Sequence, residues 1–311
     1  MPSTSLPFLK FSSPIPQEKI VQCLEVADLF LLSLCSKRCQ DIIKTAQIPV
    51  EKVHYNLRQT ETSTSDLYIT VQLPNGTLEI KKASDSEIEI LPLGSADQEC
   101  KMFWKERSPD YSVLYVTGLS PLDSIRKTCK HIFNTFKIPV CSMDVYSMAS
   151  TILLPILFEF QPTSHYERIY LHYDNNNSLN FQDFQRILNL NVPINRLDFN
   201  HENFPDASEC KIKEPLKPRK LILSNANWLT VQNISDMECE VLYADGVHIG
   251  KEINNFIVNW MAGGFENLKS ITLKPMVNLE GLNLNPQNNR PDGKVAVVTL
   301  ENDTLRITIE Q

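Results

Sequence analysis

The strongest constraint on the fold is a run of short apolar helix patterns near the N-terminus, within residues 7–44. The run reads PFLKFSSPIPQEKIVQCLEVADLFLLSLCSKRCQDIIK, and its segment Leu29 to Cys35 is apolar on almost every side of a helix. Such a helix must be covered on most of its sides. Because a unit of about 40 residues rarely builds a sufficient core alone, we expect the rest of the chain or another protein to bury these helices.

The first helix is predicted from about Gln17 to Leu24, with Ile20, Val21 and the final leucine on one face. Pro14 and Pro16 predict an extended segment before it. The apolar face of this helix belongs to the surface that has to be covered.

Two more helices are predicted directly after the first. Asp28 is the expected N-cap of the second helix, which carries Leu29 to Cys35. Ser36 is the expected N-cap of a third helix that carries Ile42 and Ile43. The three helices form the predicted N-terminal unit, residues 1–48; a helical cap on the larger domain is the alternative interpretation.

Composition indicates a folded chain of roughly two domains that does not bind nucleic acid. The 311 residues carry a net charge of −7 with a pI near 5.5, whereas phosphate binding needs a basic face. The longest basic run, Lys213 to Lys220, is broken by Glu214 and two prolines, which is typical of a solvated loop. The longest apolar run is far shorter than the ~18 residues of a membrane span, so we expect no membrane partner.

The eight cysteines are expected to be reduced thiols in the cytoplasm, with the nucleus as the alternative, because no secretory signal pattern is present. Cys35 and Cys39 have no second ligand pair at zinc spacing, so we predict no metal and no cofactor. Cys129 and His131 lie two apart on a helix, which predicts a core thiol and a surface imidazole.

Residues 49–110 are predicted to be a β-rich connecting region. Leu67 to Leu73 alternates as a strand, Pro74-Asn75-Gly76 is a turn, and Thr77 to Lys81 returns, which predicts a β-hairpin. Glu87 to Leu91 is a candidate third strand.

Residues 111–311 alternate predicted strands and helices, so the chain as a whole is of the α+β or α/β class. Strand starts near residues 169, 196, 220, 241 and 271 lie roughly 20 to 30 residues apart, the period of a leucine-rich-repeat-like domain. The position of the repeat's asparagine holds Glu202, Ala226, Gly246 or Met276, so an ordinary α/β layer domain stays the alternative. Trp228 and Trp260 are predicted core residues.

No catalytic motif is recognisable along the chain. A phosphate loop, a kinase signature, a dinucleotide fingerprint and a Gly-x-Ser-x-Gly elbow are all missing from the sequence. His172 and Asp174 are the residues to test if the chain is an enzyme without a familiar motif.

Residues 28–38 (DLFLLSLCSKR) place an acidic residue, a leucine-rich helix and Ser-Lys-Arg in an order that resembles the F-box of a large nematode family of F-box proteins. Phe11-Ser12 stands where family members usually have Leu-Pro, and Leu9 with Phe11 keeps the apolar contacts. Downstream, the chain resembles the type-2 F-box-associated domain of that family. This second resemblance rests on Trp104–Arg107, the helix from Ser120, Leu221, Leu223, Trp228–Thr230, Ile253–Ile257, Trp260, Gly263-Gly264, Leu268 and Ile271.

The resemblance implies the substrate-recognition subunit of a Skp–cullin–F-box ubiquitin ligase. It would bind a Skp-family adaptor, and through it a cullin, and would hold an unidentified target protein without being an enzyme itself. The predicted adaptor-binding residues are Leu9, Phe11, Ile20, Val21, Leu24, Leu29, Leu32 and Cys35. The alternative function is an interaction scaffold that binds an adaptor or another partner without ubiquitin transfer.

Overall fold

The structure, a computed structural model, describes residues 14–48, 50–58, 66–73, 76–82, 100–107, 111–118, 121–173, 179–202, 217–250, 252–265, 267–275, 287–301 and 303–310. The chain divides into two compact units. The first comprises residues 1–143 and 159–164, and the second comprises residues 144–158 and 165–311. The predicted division into residues 1–48, 49–110 and 111–311 stays a prediction, because compactness alone does not define a domain.

Helices and strands alternate through most of the described chain. The helices are α1 Pro14–Gln22, α2 Val26–Cys35, α3 Lys37–Ala46, α4 Pro121–Thr135, α5 Ser150–Glu159, α6 Phe181–Leu188, α7 Val231–Ser235 and α8 Ile253–Met261. The strands are β1 Lys52–Arg58, β2 Asp66–Leu73, β3 Gly76–Lys82, β4 Cys100–Arg107, β5 Tyr111–Gly118, β6 Val140–Tyr146, β7 His165–Tyr173, β8 Arg196–His201, β9 Lys220–Ser224, β10 Val241–Val247, β11 Ser270–Pro275, β12 Gln287–Asn289, β13 Val295–Glu301 and β14 Thr304–Glu310. None of the described helices is long and apolar enough to cross a membrane.

The first helix begins earlier than the sequence predicts. α1 starts at Pro14, so the predicted extended segment around Pro14 and Pro16 is wrong. Both prolines lie in the first turn, where backbone N–H groups have no partner within the helix and their loss costs little. The predicted cap at Asp28 is also wrong. Glu25 is the N-cap of α2, and Asp28 lies in the first turn, where its charge favours the helix dipole.

The first unit combines these helices with a mixed sheet. Strands β1, β2 and β3 are antiparallel neighbours, β3 runs parallel to β5, and β5 runs antiparallel to β4. The predicted hairpin is confirmed as β2 and β3, with Leu73 opposite Gly76. β1 was not predicted, although its Val53, Tyr55 and Leu57 alternate and are fully buried. The candidate strand Glu87 to Leu91 lies outside the described residues.

The second unit is built on parallel strands that neighbour each other in chain order. β7, β8, β9, β10 and β11 are all parallel, and β14, β13 and β12 continue the sheet as antiparallel strands. The register aligns one residue of each parallel strand in a fully buried row: Ile169, Leu197, Leu221, Leu242 and Ile271. The predicted strand and helix alternation is confirmed as a mixed sheet with helices. The leucine-rich-repeat-like description stays a prediction, because ordinary α/β sheets alternate in the same way.

Aromatic side chains join the helices to the buried side of this sheet. Phe184 of α6 stacks on Phe199 of β8 with ring centroids 4.1 Å apart, and its ring meets Trp228 edge-on at 5.8 Å. On α8, Trp260 donates from Nε1 to the carbonyl of Leu268 at 3.1 Å. Both tryptophans are fully buried, which confirms that they are core residues.

Opposite sides of β9 should respond differently to truncation. Leu221→Ala removes a fully buried side chain, so we expect the free energy of unfolding to fall by about 2–5 kcal/mol. Ile222→Ala is the matched control on the adjacent, partly exposed position and should cost less than about 1.5 kcal/mol. Urea unfolding of the full chain, followed by tryptophan fluorescence, measures both; equal losses would contradict the assigned orientation of β9.

Candidate functional site

Short junctions connect the three N-terminal helices, and the junction between α2 and α3 carries a side-chain cap. Ser36 separates α2 from α3, and its side chain accepts a hydrogen bond from the backbone N–H of Cys39 at 3.1 Å. The predicted N-cap is therefore confirmed. α3 ends at Gln47, which adopts a left-handed conformation. Gln22 of α1 donates to the carbonyl of Ala46 at 3.4 Å, so the first and third helices are linked at their ends.

One side of α1 and α2 belongs to the core of the first unit. Val21, Leu29 and Leu32 are buried, as are Phe30 and Ile43. Three of the predicted adaptor-binding residues thus lie inside the chain's own core, where a partner reaches them only if the helices open. Their structural role is to fix the position of the neighbouring surface residues.

The other side of the same helices carries apolar residues that stay partly exposed. Ile20 and Leu24 are partly exposed and Cys35 is exposed, so these predicted residues are accessible to a partner. Leu31 and Leu34 are also partly exposed and share a helix side with Cys35, since residues three and four apart lie together. We call Leu31, Leu34 and Cys35 the outward face of α2. Leu9 and Phe11 lie outside the described residues.

Leu31 and Leu34 were not among the predicted adaptor-binding residues. The sequence feature that indicates the exposed side of α2 is the spacing of Asp28, Leu31 and Cys35, because it places a charged residue on the same side as the other two. That signal was weak because the remaining side of α2 is just as apolar. Only burial by the rest of the unit distinguishes the two sides.

Cys35 behaves as a small apolar side chain. Its thiol donates to the carbonyl of Leu31 at 3.3 Å. Desolvation, and secondarily the nearby Cys39, raises the pKa of the Cys35 thiol above its ordinary value. The thiol form therefore dominates at neutral pH, and the residue lacks the thiolate character of a reactive cysteine.

Polar contacts fasten α2 and α3 to α4 of the same unit. The Ser33 hydroxyl lies 2.6 Å from Nε2 of His131 and donates to the carbonyl of Phe30 at 2.5 Å. Since a hydroxyl has one proton and a carbonyl can only accept, Nε2 of His131 must carry the hydrogen that Ser33 accepts. Gln40 adds a second link, donating to the hydroxyl of Thr135 at 2.9 Å.

His131 is a neutral residue packed at this helix junction. Its ring meets Phe30 edge-on at 5.6 Å, and desolvation lowers its pKa to about 4. The prediction of a surface imidazole is therefore wrong, because residues near the N-terminus cover the ring. The helical periodicity of α4 could not reveal a contact with a segment so far away in the sequence. The prediction that Cys129 is a core thiol is confirmed.

The described ranges offer no alternative site of metal chemistry. No group of three or more His, Cys, Asp or Glu residues there lies close enough to hold a metal ion. His172 has its Nδ1 3.2 Å from the side-chain amide of Asn200, and its ring stacks on Tyr170. Asp174, its proposed catalytic neighbour, lies outside the described residues. The outward face of α2, with its partly exposed leucines, is the candidate functional site.

Comparison with known protein families assigns two segments of the chain. Residues 14–50, which contain α1 to α3, match the family model of the F-box domain. Residues 210–273, which contain the strands and helices from β9 to the middle of β11, match the family model described as F-box associated. No curated protein and no solved structure matched the chain. The chain thus contains an F-box domain and an F-box-associated domain.

The neutral state of His131 predicts a pH dependence of stability. Its pKa is lower in the folded state (about 4) than its ordinary value of 6.5, so the unfolded chain takes up the proton first as the pH falls. The stabilisation is complete above pH 6.5 and is lost between about pH 6.5 and 4, at up to ~1.4 kcal/mol per pH unit. His131→Gln keeps a neutral N–H donor and should lack this component.

The measurement is urea unfolding of the original chain and of His131→Gln at several pH values. Carboxylates titrate in both proteins and cancel in the difference of the two free energies. A difference that stays constant with pH would show that His131 is not buried in its neutral form.

Proposed function

We propose that this chain is the substrate-recognition subunit of a Skp–cullin–F-box ubiquitin ligase. The F-box would bind a Skp-family adaptor and, through it, a cullin, while the second unit would bind a target protein. The observation that carries the proposal is the F-box match over residues 14–50, together with the partly exposed leucines that these helices present.

The outward face of α2 has the physical character of a protein-docking surface. Leu31 and Leu34 are apolar yet partly exposed, and burying apolar surface contributes roughly 25 cal/mol per Å². Ile20 and Leu24 would add to the contact from α1. Exposed charges follow on α3, where Lys37 pairs with Asp41 at 3.2 Å, so the apolar face has a polar border of the kind found around interfaces.

The predicted adaptor site is accordingly revised within the proposal. Ile20, Leu24 and Cys35 are kept, and Leu31 and Leu34 are added. Val21, Leu29 and Leu32 support the surface from inside and are not expected to touch the adaptor directly. Leu9 and Phe11 stay predicted contacts from the segment before α1.

The mechanism is catalysis by proximity, with no reaction step on this chain. Holding the target beside an enzyme that carries ubiquitin turns an encounter in solution into a reaction within one complex. The residues of this chain would bind and orient, and other subunits would supply the chemistry. The setting is the cytoplasm, with the nucleus as the alternative.

The second unit is proposed to be a leucine-rich-repeat-like domain of the nematode type-2 F-box-associated family. Polar side chains from successive strands of this unit support this view. Asn225 donates to the side-chain oxygen of Asn200 at 3.0 Å, and Asn200 contacts His172. The three residues form a ladder across β7, β8 and the residue after β9. Asn200 lies two positions before Glu202, and Asn225 lies one position before Ala226, the residues at the predicted asparagine position of the repeat.

A scaffold without ubiquitin transfer is the second candidate, since the same F-box surface would serve it. Recovery of adaptor and cullin together with the chain would favour the ligase subunit. Recovery of the adaptor alone would favour the scaffold.

The outward face of α2 is tested by Leu31→Asp combined with Leu34→Asp. We expect co-expressed Skp-family adaptor to be lost from the complex on size-exclusion chromatography, because two charges would be desolvated in an apolar contact. Val258→Asp is the matched control: Val258 is 59% exposed on α8 and should leave the complex intact. Leu29→Asp with Leu32→Asp would disrupt the core instead and is unsuitable. A stoichiometric complex with the folded Leu31 and Leu34 variant would refute the assigned face.

A further inference from the structure

The parallel strands of the second unit present a side that is distinct from the core. Alternate residues of a strand point to opposite sides of the sheet, and the residues between the buried rows are partly or fully exposed with the exception of Asp198. We call this side the outward sheet face. Its members include Asp144 and Tyr146 on β6, and Arg168, Tyr170, His172, Arg196, Asp198, Asn200, Lys220, Ile222, Tyr243, Asp245, Thr272, Lys274 and Arg306 on β7 to β11 and β14.

The named residues of this face differ in charge from the chain as a whole. Five of them are basic and three are acidic, whereas the whole chain has a net charge of −7. Lys274 and Arg306 are exposed and close enough to affect each other electrostatically. A cationic surface on an acidic protein attracts anionic partners and disfavours basic ones.

Two arginines on neighbouring strands share a single buried carboxylate. Arg168 donates from Nε to Asp198 at 2.9 Å, and Arg196 donates from its own Nε at 2.8 Å. The Asp198 side chain is only 7% exposed, but those of Arg168 and Arg196 are 40% and 43% exposed. Each guanidinium therefore meets Asp198 through Nε, and because both side chains are partly exposed, their Nη donors can reach a further acceptor.

This arrangement prepares the arginines to bind an anion. Asp198 restricts the side chains before a ligand arrives, which lowers the conformational entropy lost on binding. Arg168 also stacks over the ring of Tyr170 at 5.0 Å, a second restraint. Two positive charges against one negative charge leave the cluster cationic, and hydrogen bonds between guanidinium and carboxylate groups are among the strongest in proteins.

Tyrosines extend the face on both sides of the arginine pair. Tyr146 and Tyr170 lie 5.5 Å apart, and Lys274 lies 5.8 Å from the ring of Tyr243. Partly exposed tyrosines offer large contact areas with few rotatable bonds, which suits the binding of a peptide. The face thus combines aromatic contact area with basic groups.

We propose that the outward sheet face binds an acidic, extended segment of a protein, with Arg168 and Arg196 contacting its carboxylates. The inference rests on the proposed function and names the chemistry of the target. Five parallel strands at a spacing of ~4.8 Å span roughly 20 Å, the length of about six extended residues. Glutamate or aspartate at alternate positions would place carboxylates on the side that meets the arginines.

The test is a fluorescence-anisotropy titration of the full chain with a labelled peptide of about twelve residues in which Glu alternates with Thr. The matched peptide carries Gln in place of Glu. We expect the Glu peptide to bind at least about tenfold more tightly than the Gln peptide and to weaken as NaCl rises from about 50 to about 300 mM. Equal binding of the two peptides, or no binding of either, would overturn the proposal.

Arg168→Gln combined with Arg196→Gln should raise the Kd for the Glu peptide about tenfold or more. Because this variant leaves Asp198 buried without its partners, a second variant adds Asp198→Asn and removes the buried charge. Arg186→Gln is the matched control: it makes the same change on α6, away from the sheet face. An unchanged Kd in either folded variant would exclude the arginine pair as the anchor.

The same variants distinguish this inference from the proposed function. All of them should still form the complex with the adaptor, because the F-box lies in the other unit. Formation of the adaptor complex by the original chain without binding of the Glu peptide would contradict the sheet-face proposal alone. Absence of an adaptor complex for the original chain, with peptide binding retained, would contradict the proposed function alone.

Discussion

Burial of one side of α2 against its own unit is the interaction on which the N-terminal half depends. α2 is apolar on nearly every side, and a helix of this kind cannot stand free in water. Leu29 and Leu32 satisfy the requirement from within the chain. The hydrogen bonds between His131 and Ser33 and between Gln40 and Thr135 fix the position of α2 and α3. What stays partly exposed is the pair Leu31 and Leu34, positioned by the buried side of the same helix.

The packing of α2 matters for the proposed docking because ordering a helix on binding costs free energy. If α2 had to fold on contact with a partner, part of the interaction energy would go into fixing its backbone and side chains. Here the neutral His131 and its neighbours hold α2 and α3 in position before a partner binds. The same dependence makes the site sensitive to any change that charges or removes the buried groups at the junction.

In the second unit, the sheet likewise has one buried side and one exposed side. The period of two along each strand assigns alternate residues to the core and to the outward sheet face, and parallel pairing aligns them into rows. The core row from Ile169 to Ile271 is uniformly apolar, while the outer rows contain arginine, lysine and tyrosine from segments far apart in the sequence. The proposed adaptor surface on one unit and the proposed peptide-binding sheet face on the other are compatible with a receptor that holds two partners at once.

Local patterns in the sequence determined much of the secondary structure. Alternation predicted the β2–β3 hairpin, Ser36 predicted the start of α3, and short apolar runs predicted the strands β7 to β11, because these signals involve residues a few positions apart. β1 and α5 were not predicted: β1 follows Pro49 with only three apolar alternations, and α5 contains Pro155 in its interior. The predictions for Pro14 and Asp28 were wrong because both residue types are also favourable inside the first turn of a helix, not only before it.

Only the tertiary structure decided which residues of α2 face outward. An all-apolar helix contains no internal signal that separates Leu29 and Leu32 from Leu31 and Leu34, so the choice belongs to the surfaces packed around it. The meeting of Ser33 with His131, and of Arg168 and Arg196 with Asp198, likewise depends on chain segments brought together by strand register and helix packing. The sequence by itself determined most of the helices and strands and the residue pattern that resembles an F-box. The fold decided which side chains a partner can reach, because only side chains that packing leaves exposed can make a contact.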